Sequence, residues 1–75
     1  MKTFIIDLKV GEKGIIVDYD KETIPLKLIE MGCIQGSEVY LVNATSLNDP
    51  IYLNINETFI AIRKDMASMI EIKKL

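Results

Sequence analysis

The stretch Ile51–Ile62 constrains this chain more than any other. Ile51, Leu53 and Ile55 alternate with Tyr52 and Asn54, Asn56-Glu57 interrupts, and Thr58–Ile62 resumes the apolar run. A period of two puts successive side chains on opposite faces of a strand. Two residues between such runs match the shortest hairpin loop. An antiparallel hairpin with Ile51, Leu53 and Ile55 turned inward is therefore expected. A hairpin alone is marginal in water, so further strands must cover its apolar face.

The rest of the chain supplies them. Glu38–Asn43 reads as a strand, with Val39 and Leu41 opposing Tyr40 and Val42. Gly14–Asp20 alternates as well, with Ile15, Val17 and Tyr19 on one face and Ile16 and Asp18 on the other. Thr3–Ile6 is a short β-branched and aromatic run, and Ile70–Lys73 closes the chain with Ile70 and Ile72 inward. Turns are expected over Gly11–Gly14, Gln35–Ser37 and Thr45–Pro50, where Gly, Asn, Asp, Ser and Pro concentrate.

One segment has the other periodicity. Ile24–Met31 reads as a short helix, with Thr23 as its cap, Pro25 in its first turn and Gly32 at its left-handed C-terminal position. So short a helix must pack on a sheet to persist. Lys64–Met69 reads as one helical or 3₁₀ turn. The expected architecture is mainly β: about five short strands and one short α-helix, curled into a small, partly open barrel that hides its edges. With 75 residues and no linker or repeat, residues 1–75 form a single domain.

Composition removes several function classes. The chain has no His and one Cys, so zinc-finger, zincin, haem-attachment and Ser-His or Cys-His schemes lack their parts. A lone Cys makes no internal disulfide, which points to a reducing cytosol. No signal peptide or membrane-spanning run is read in it. The net charge of −2 argues against nucleic acid as the main partner. Gly11-Glu12-Lys13-Gly14 lacks the spacing of a phosphate-binding loop, and no acid, base and nucleophile set suggests an enzyme.

Leu28-Ile29-Glu30-Met31-Gly32-Cys33-Ile34-Gln35-Gly36 resembles the "L-x-x-L-G-hydrophobic-x-P-G" signature of FeoA-type proteins. Other pieces follow in the family's order: Ile5-x-x-Leu8-x-x-Gly11 and Gly14-x-Ile16, then Leu47-Asn48-Asp49-Pro50-Ile51, then Ile60-Ala61-Ile62-Arg63-Lys64, then Met66–Ile72. The resemblance runs from about Ile5 to Ile72. It implies an SH3-like β-barrel, the fold shared with the C-terminal domain of DtxR-type iron repressors. It also implies a cytosolic accessory role in bacterial ferrous-iron uptake, with the transporter and GTPase FeoB as partner. The chain departs from the family pattern at Gln35, where Pro is common, at Asn48 for Gly, at Cys33 for Met or Leu, and at Leu26, a position often basic.

The residues single out few chemical groups. Cys33 lies in an apolar run and reads as a small buried hydrophobe. Asp18 and Asp20, with Glu22 nearby, are weak candidates for a ferrous-iron site. A strand-end acidic pair without His fits a solvated rim better, so no metal or cofactor is expected. The helix is more informative. Leu28, Met31 and Ile24 can share the core-facing side, which leaves Leu26 and Ile29 apolar and outward. Exposed apolar patches mark partner surfaces, so the docking residues expected are Leu26, Lys27 and Ile29 of the helix with Arg63, the one arginine, at the rim. The alternative is a stand-alone regulatory or metal-sensing domain related to the SH3-like half of the iron repressors.

Overall fold

The computed structural model describes residues 1–43 and 50–75. Six strands form one antiparallel sheet: β1 (Thr3–Phe4), β2 (Lys13–Tyr19), β3 (Glu38–Asn43), β4 (Ile51–Ile55), β5 (Thr58–Ile62) and β6 (Ile70–Lys74). A 3₁₀ turn covers Ile5–Asp7, and two short helices, α1 (Leu26–Glu30) and α2 (Lys64–Ala67), follow β2 and β5. The hydrogen-bonded order is β1-β6-β2-β3-β4-β5, so β1 and β5 are the edges. The mainly β, partly open architecture read from the sequence is the one observed.

The central meander forms for the reason given by its alternation. Ile51 pairs with Ile62, Leu53 with Ile60 and Ile55 with Thr58, and the inward positions Ile51, Leu53, Ile55, Ile60 and Ile62 are all buried. Across the other side of β4, Val39 pairs with Ile55 and Leu41 with Leu53. The turn Asn56-Glu57 has φ of 50° and 68°, the left-handed pair required by the two-residue hairpin loop whose twist matches its strands. Asn56 also reaches outward from this turn. Its Nδ2 donates to the buried Ser37 Oγ at 3.0 Å, and its backbone N–H donates to Glu38 O at 3.3 Å. The hairpin tip is thereby tied to the start of β3.

β2 departs from the alternation expected of it. Ile16 is fully buried while Val17 and Asp18 are exposed. The register with β6 shifts between Ile16 and Asp18, so that Ile16 faces Ile72 and Tyr19 faces Ile70. This bulge inserts one residue and exchanges the faces beyond it. Ile15 and Val17 therefore lie away from the core, and Tyr19 packs on the side of Ile16. Gly14 permits the close approach of β2 to β6: a Cβ there would lie 2.9 Å from Ile72 Cδ1 and 3.2 Å from the Lys73 carbonyl oxygen.

The remaining expectations divide. The strand read over Thr3–Ile6 is two residues long, because the chain turns into the 3₁₀ segment at Ile5. There the Asp7 carboxylate accepts the Phe4 N–H at 2.9 Å, and Ile5 and Leu8 enter the core. The closing strand buries Ile70 and Ile72 as read. The turn expected over Thr45–Pro50 lies outside the described residues except for Pro50.

Candidate partner-docking groove

The approach to α1 is organised by Asp20 rather than by the expected Thr23 cap. Asp20 Oδ1 accepts the Glu22 N–H and Oδ2 accepts the Thr23 hydroxyl, both at 2.9 Å. Its carbonyl accepts the N–H groups of Thr23 and Ile24. These donors favour the ionised carboxylate, with the Glu22 N–H foremost, and hold the Asp20 pKa below its usual value. Pro25 then stands as the N-cap residue, and its carbonyl accepts from Leu28 at 3.0 Å.

The other end of α1 closes in a Schellman motif. The Cys33 N–H donates to Leu28 O at 3.0 Å and the Gly32 N–H to Ile29 O at 3.1 Å, with Gly32 at φ +108°. Glycine adopts this conformation freely, which explains the Met31-Gly32 ending. Cys33 is 1% exposed, and burial pushes its thiol up to about 11. At neutral pH it is a protonated, inert core side chain.

With both ends fixed, the faces of α1 are determined. Ile24 is buried, and Leu28 and Met31 pack partly against the core, as their spacing suggests. Leu26 is 67% exposed. Ile29 is not fully outward: it is half-buried and packs against the core cluster. Lys27 turns toward β5. Between α1 and the edge strand lies a groove of about 470 Å³. Pro25, Lys27, Leu28 and Met31 form one wall, Phe59–Ile62 form the other, and Arg63 and Met66 close one end.

Two features set the chemistry of this groove. Its surface is largely apolar, with Met31 and Met66 contributing adaptable thioether side chains. Its charges have one sign, since Lys27 and Arg63 line it and no carboxylate does. Among the described residues neither makes an ion pair; the pairs found are Lys2–Glu71, Lys13–Glu38 and Lys74–Glu12. Phe59 is 71% exposed at the lip.

The sequence-derived candidates are thus distributed unevenly. Lys27 and Arg63 meet in the groove, Leu26 stands exposed on the same short helix, and Ile29 points mainly inward. Phe59, Met31 and Met66 were not among the expected docking residues. The apolar, uncharged run Thr58–Ile62 was the available signal for Phe59, since a large outward aromatic on an edge strand is a docking feature.

Asp18 and Asp20 do not form the expected pair on one strand face. β2 ends at Tyr19, so Asp20 lies in the following turn. The Asp18 carboxylate accepts the Tyr19 N–H at 2.9 Å, and that of Asp20 is engaged as described. Among the described residues no three His, Cys, Asp or Glu side chains converge on a common point. No helix of the described residues is long and apolar enough to cross a membrane.

Comparison with known proteins settles the family. The FeoA domain model matches residues 5–74. The chain belongs to the FeoA family. A curated relative from Porphyromonas gingivalis (strain ATCC BAA-308 / W83), an Fe(2+) transport protein A/Fe(2+) transporter FeoB fusion protein, is 28% identical over 68 residues. That match covers 89% of this chain but only 8% of the fusion protein. The crystal structure of an iron uptake regulatory protein (FeoA) superposes with a TM-score of 0.84 at 25% identity, covering 100% of this chain and 99% of the other. A zinc-complexed FeoA from Stenotrophomonas maltophilia, described as a procaryotic SH3 domain protein, has a TM-score of 0.75 at 20% identity over 95% of this chain and 89% of its own. The fold is the SH3-like one that the sequence resemblance implied.

Proposed function

We propose that this chain is a non-enzymatic, cytoplasmic accessory module of ferrous-iron uptake that docks to a FeoB-type transporter and biases its conformational state. The observation that carries this reading is the fusion relative, in which a FeoA region and a FeoB transporter form one polypeptide. Fusion holds two parts at high effective concentration, an arrangement suited to parts that touch. The docking surface is the α1–β5 groove together with the exposed Leu26 beside it on α1, with Lys27 and Arg63 as charged contacts and the half-buried Ile29 as a lesser apolar one. The module acts by differential affinity: it shifts the transporter's population only as far as it binds one state better than another.

The test is a pull-down of the purified chain with a detergent-solubilised FeoB-type transporter. Leu26→Glu is the informative variant, because Leu26 is exposed and its replacement leaves the core intact. Combined with Arg63→Glu, it is expected to weaken capture by about tenfold or more, while thermal stability stays close to the parent's. Ile29→Glu is a poorer probe, since Ile29 packs partly on the core and its loss of binding mixes with loss of stability. Undiminished capture by a folded Leu26→Glu/Arg63→Glu variant would refute this surface.

A further inference from the structure

The two edges of the sheet are treated differently. β1 is two residues long, and short edge strands offer little template for further pairing. β5 is five residues, Thr-Phe-Ile-Ala-Ile, paired regularly with β4 through all five positions. It carries no charge, no proline and no bulge, the devices that protect an exposed edge.

The register fixes which backbone groups are free. In a hairpin closed by a two-residue loop, the flanking residues Ile55 and Thr58 exchange both hydrogen bonds, and every second pair thereafter does the same. Leu53–Ile60 and Ile51–Ile62 are therefore the bonded pairs. The N–H and C=O groups of Phe59 and Ala61 point away from β4. Among the described residues no hydrogen bond occupies them.

Apolar surface lies on both sides of this free edge. On one side is the α1–β5 groove, with Leu28, Met31 and Met66. On the other is a depression of about 530 Å³ containing Val42, Tyr52, Phe59 and Ala61. A strand laid against β5 would send alternate side chains into each. Lys27 and Arg63, facing this position without a lining carboxylate, complement an acidic group on the added strand.

We propose that β5 accepts an extended peptide segment of a protein partner by strand addition, its backbone bonding Phe59 and Ala61, its apolar residues at i and i+2, and an acidic side chain meeting Lys27 and Arg63. This deepens the docking assignment and rests on it for the partner's identity, but not for the mode of binding. A second copy of the chain is the less suitable occupant, because Thr58–Ile62 has no carboxylate; paired antiparallel about Ile60 it would bring only the adjacent Glu57 opposite Arg63, one acid against two cations.

The experiment is selection of a phage-displayed library of random dodecapeptides on the immobilised chain. The enriched peptides are then measured by isothermal titration and amide hydrogen exchange. The expected peptides alternate apolar residues and carry Asp or Glu, and they slow exchange at the Phe59 and Ala61 amides. Ala61→Pro removes one free-edge donor while leaving the β4 ladder intact, a position where edge strands tolerate proline. It should weaken these peptides by about tenfold or more, as should Arg63→Glu. Amide protection in the parent chain tests the mode even if the proline variant unfolds.

Failure to enrich any peptide overturns the proposal. So do peptides with helical i, i+3, i+4 spacing, or binding that leaves the Phe59 and Ala61 amides unprotected. Sedimentation velocity showing a dimer abolished by Ala61→Pro also overturns it, by assigning the edge to self-association. Capture of the FeoB-type transporter that survives Ala61→Pro refutes strand addition and leaves the docking reading standing. Peptide binding without any transporter capture refutes the docking reading alone.

Discussion

The Asn56-Glu57 turn permits a stability test in which one substitution has opposite effects at adjacent residues. Both residues have positive φ, 50° and 68°. Glu57 is exposed, and among the described residues its side chain has no hydrogen bond or ion pair. A non-glycine residue in the left-handed region costs about 1–2 kcal/mol. Glycine removes that cost but releases about 0.5–1 kcal/mol of additional unfolded-state freedom. Glu57→Gly is therefore expected to stabilise the fold by about 0.5–1 kcal/mol. Asn56 differs in two respects. Asparagine tolerates the left-handed region, and Nδ2 donates to the buried Ser37 Oγ at 3.0 Å. Asn56→Gly gains little from strain relief, loses a hydrogen bond worth about 1 kcal/mol and adds unfolded-state freedom, a net loss of about 1–1.5 kcal/mol. For a domain of this size 1 kcal/mol moves Tm by about 4–8 °C. Thermal unfolding followed by circular dichroism should therefore show Tm raised in Glu57→Gly and lowered in Asn56→Gly. Equal shifts of the same sign would refute both the strain assigned to Glu57 and the tie assigned to Asn56.

Three further outcomes can be checked. Gly14→Ala places a Cβ 2.9 Å from Ile72 Cδ1 and 3.2 Å from the Lys73 carbonyl, and should lower stability to urea by about 1–3 kcal/mol. Cys33 should react with Ellman's reagent at neutral pH only as fast as the chain opens, because its thiol is buried with a pKa of about 11; immediate stoichiometric reaction would contradict that burial. Asp20 has a lowered folded-state pKa, so its hydrogen bonds stabilise the fold above the ordinary aspartate pKa, and that contribution is lost as pH falls through the folded value. Comparing Asp20→Ala with the parent in urea melts should show the largest deficit near neutrality, shrinking progressively at pH values below the ordinary aspartate range.

The legible parts of this fold are those where one local rule decided the outcome. β4 alternates strictly, so its period, its inward face and the hairpin loop after it followed directly. Gly32 terminated α1 because a positive φ was needed there. β2 was misread because Ile15, Ile16 and Val17 are all apolar, so the pattern does not specify which face is buried. The bulge is decided instead by pairing with β6, which brings both Ile16 and Tyr19 to the core side. Thr23 does not cap α1, because its hydroxyl donates to Asp20, whose two oxygens accept from Glu22 and Thr23 in the turn before the helix, and Pro25 stands at the N-cap. The groove was legible only in part. Lys27 and Arg63 could be named as charges near apolar surface. That they share one groove with Phe59 depends on how β5 comes to lie beside α1, which no local pattern encodes.

Stability and docking in this chain draw on different residues. The turn tie at Asn56, the close approach at Gly14 and the cap at Gly32 bear on β2, β3, β6 and the C-terminus of α1. The floor of the groove belongs to the core, through the buried Ile60 and Ile62 and the half-buried Leu28, Met31 and Met66, but its remaining lining, Pro25, Lys27, Phe59, Ala61 and Arg63, is exposed. Surface substitutions of this kind usually change stability by no more than about 0.5 kcal/mol. A small domain with little stability to lose can therefore present Leu26, Phe59, Lys27 and Arg63 to a partner at slight cost to its own folding. Variants at these four positions should separate the two properties, keeping the parent's Tm while partner capture falls. A pronounced fall in Tm for single exposed substitutions such as Leu26→Glu or Phe59→Ser would show instead that this rim is part of what holds the sheet together.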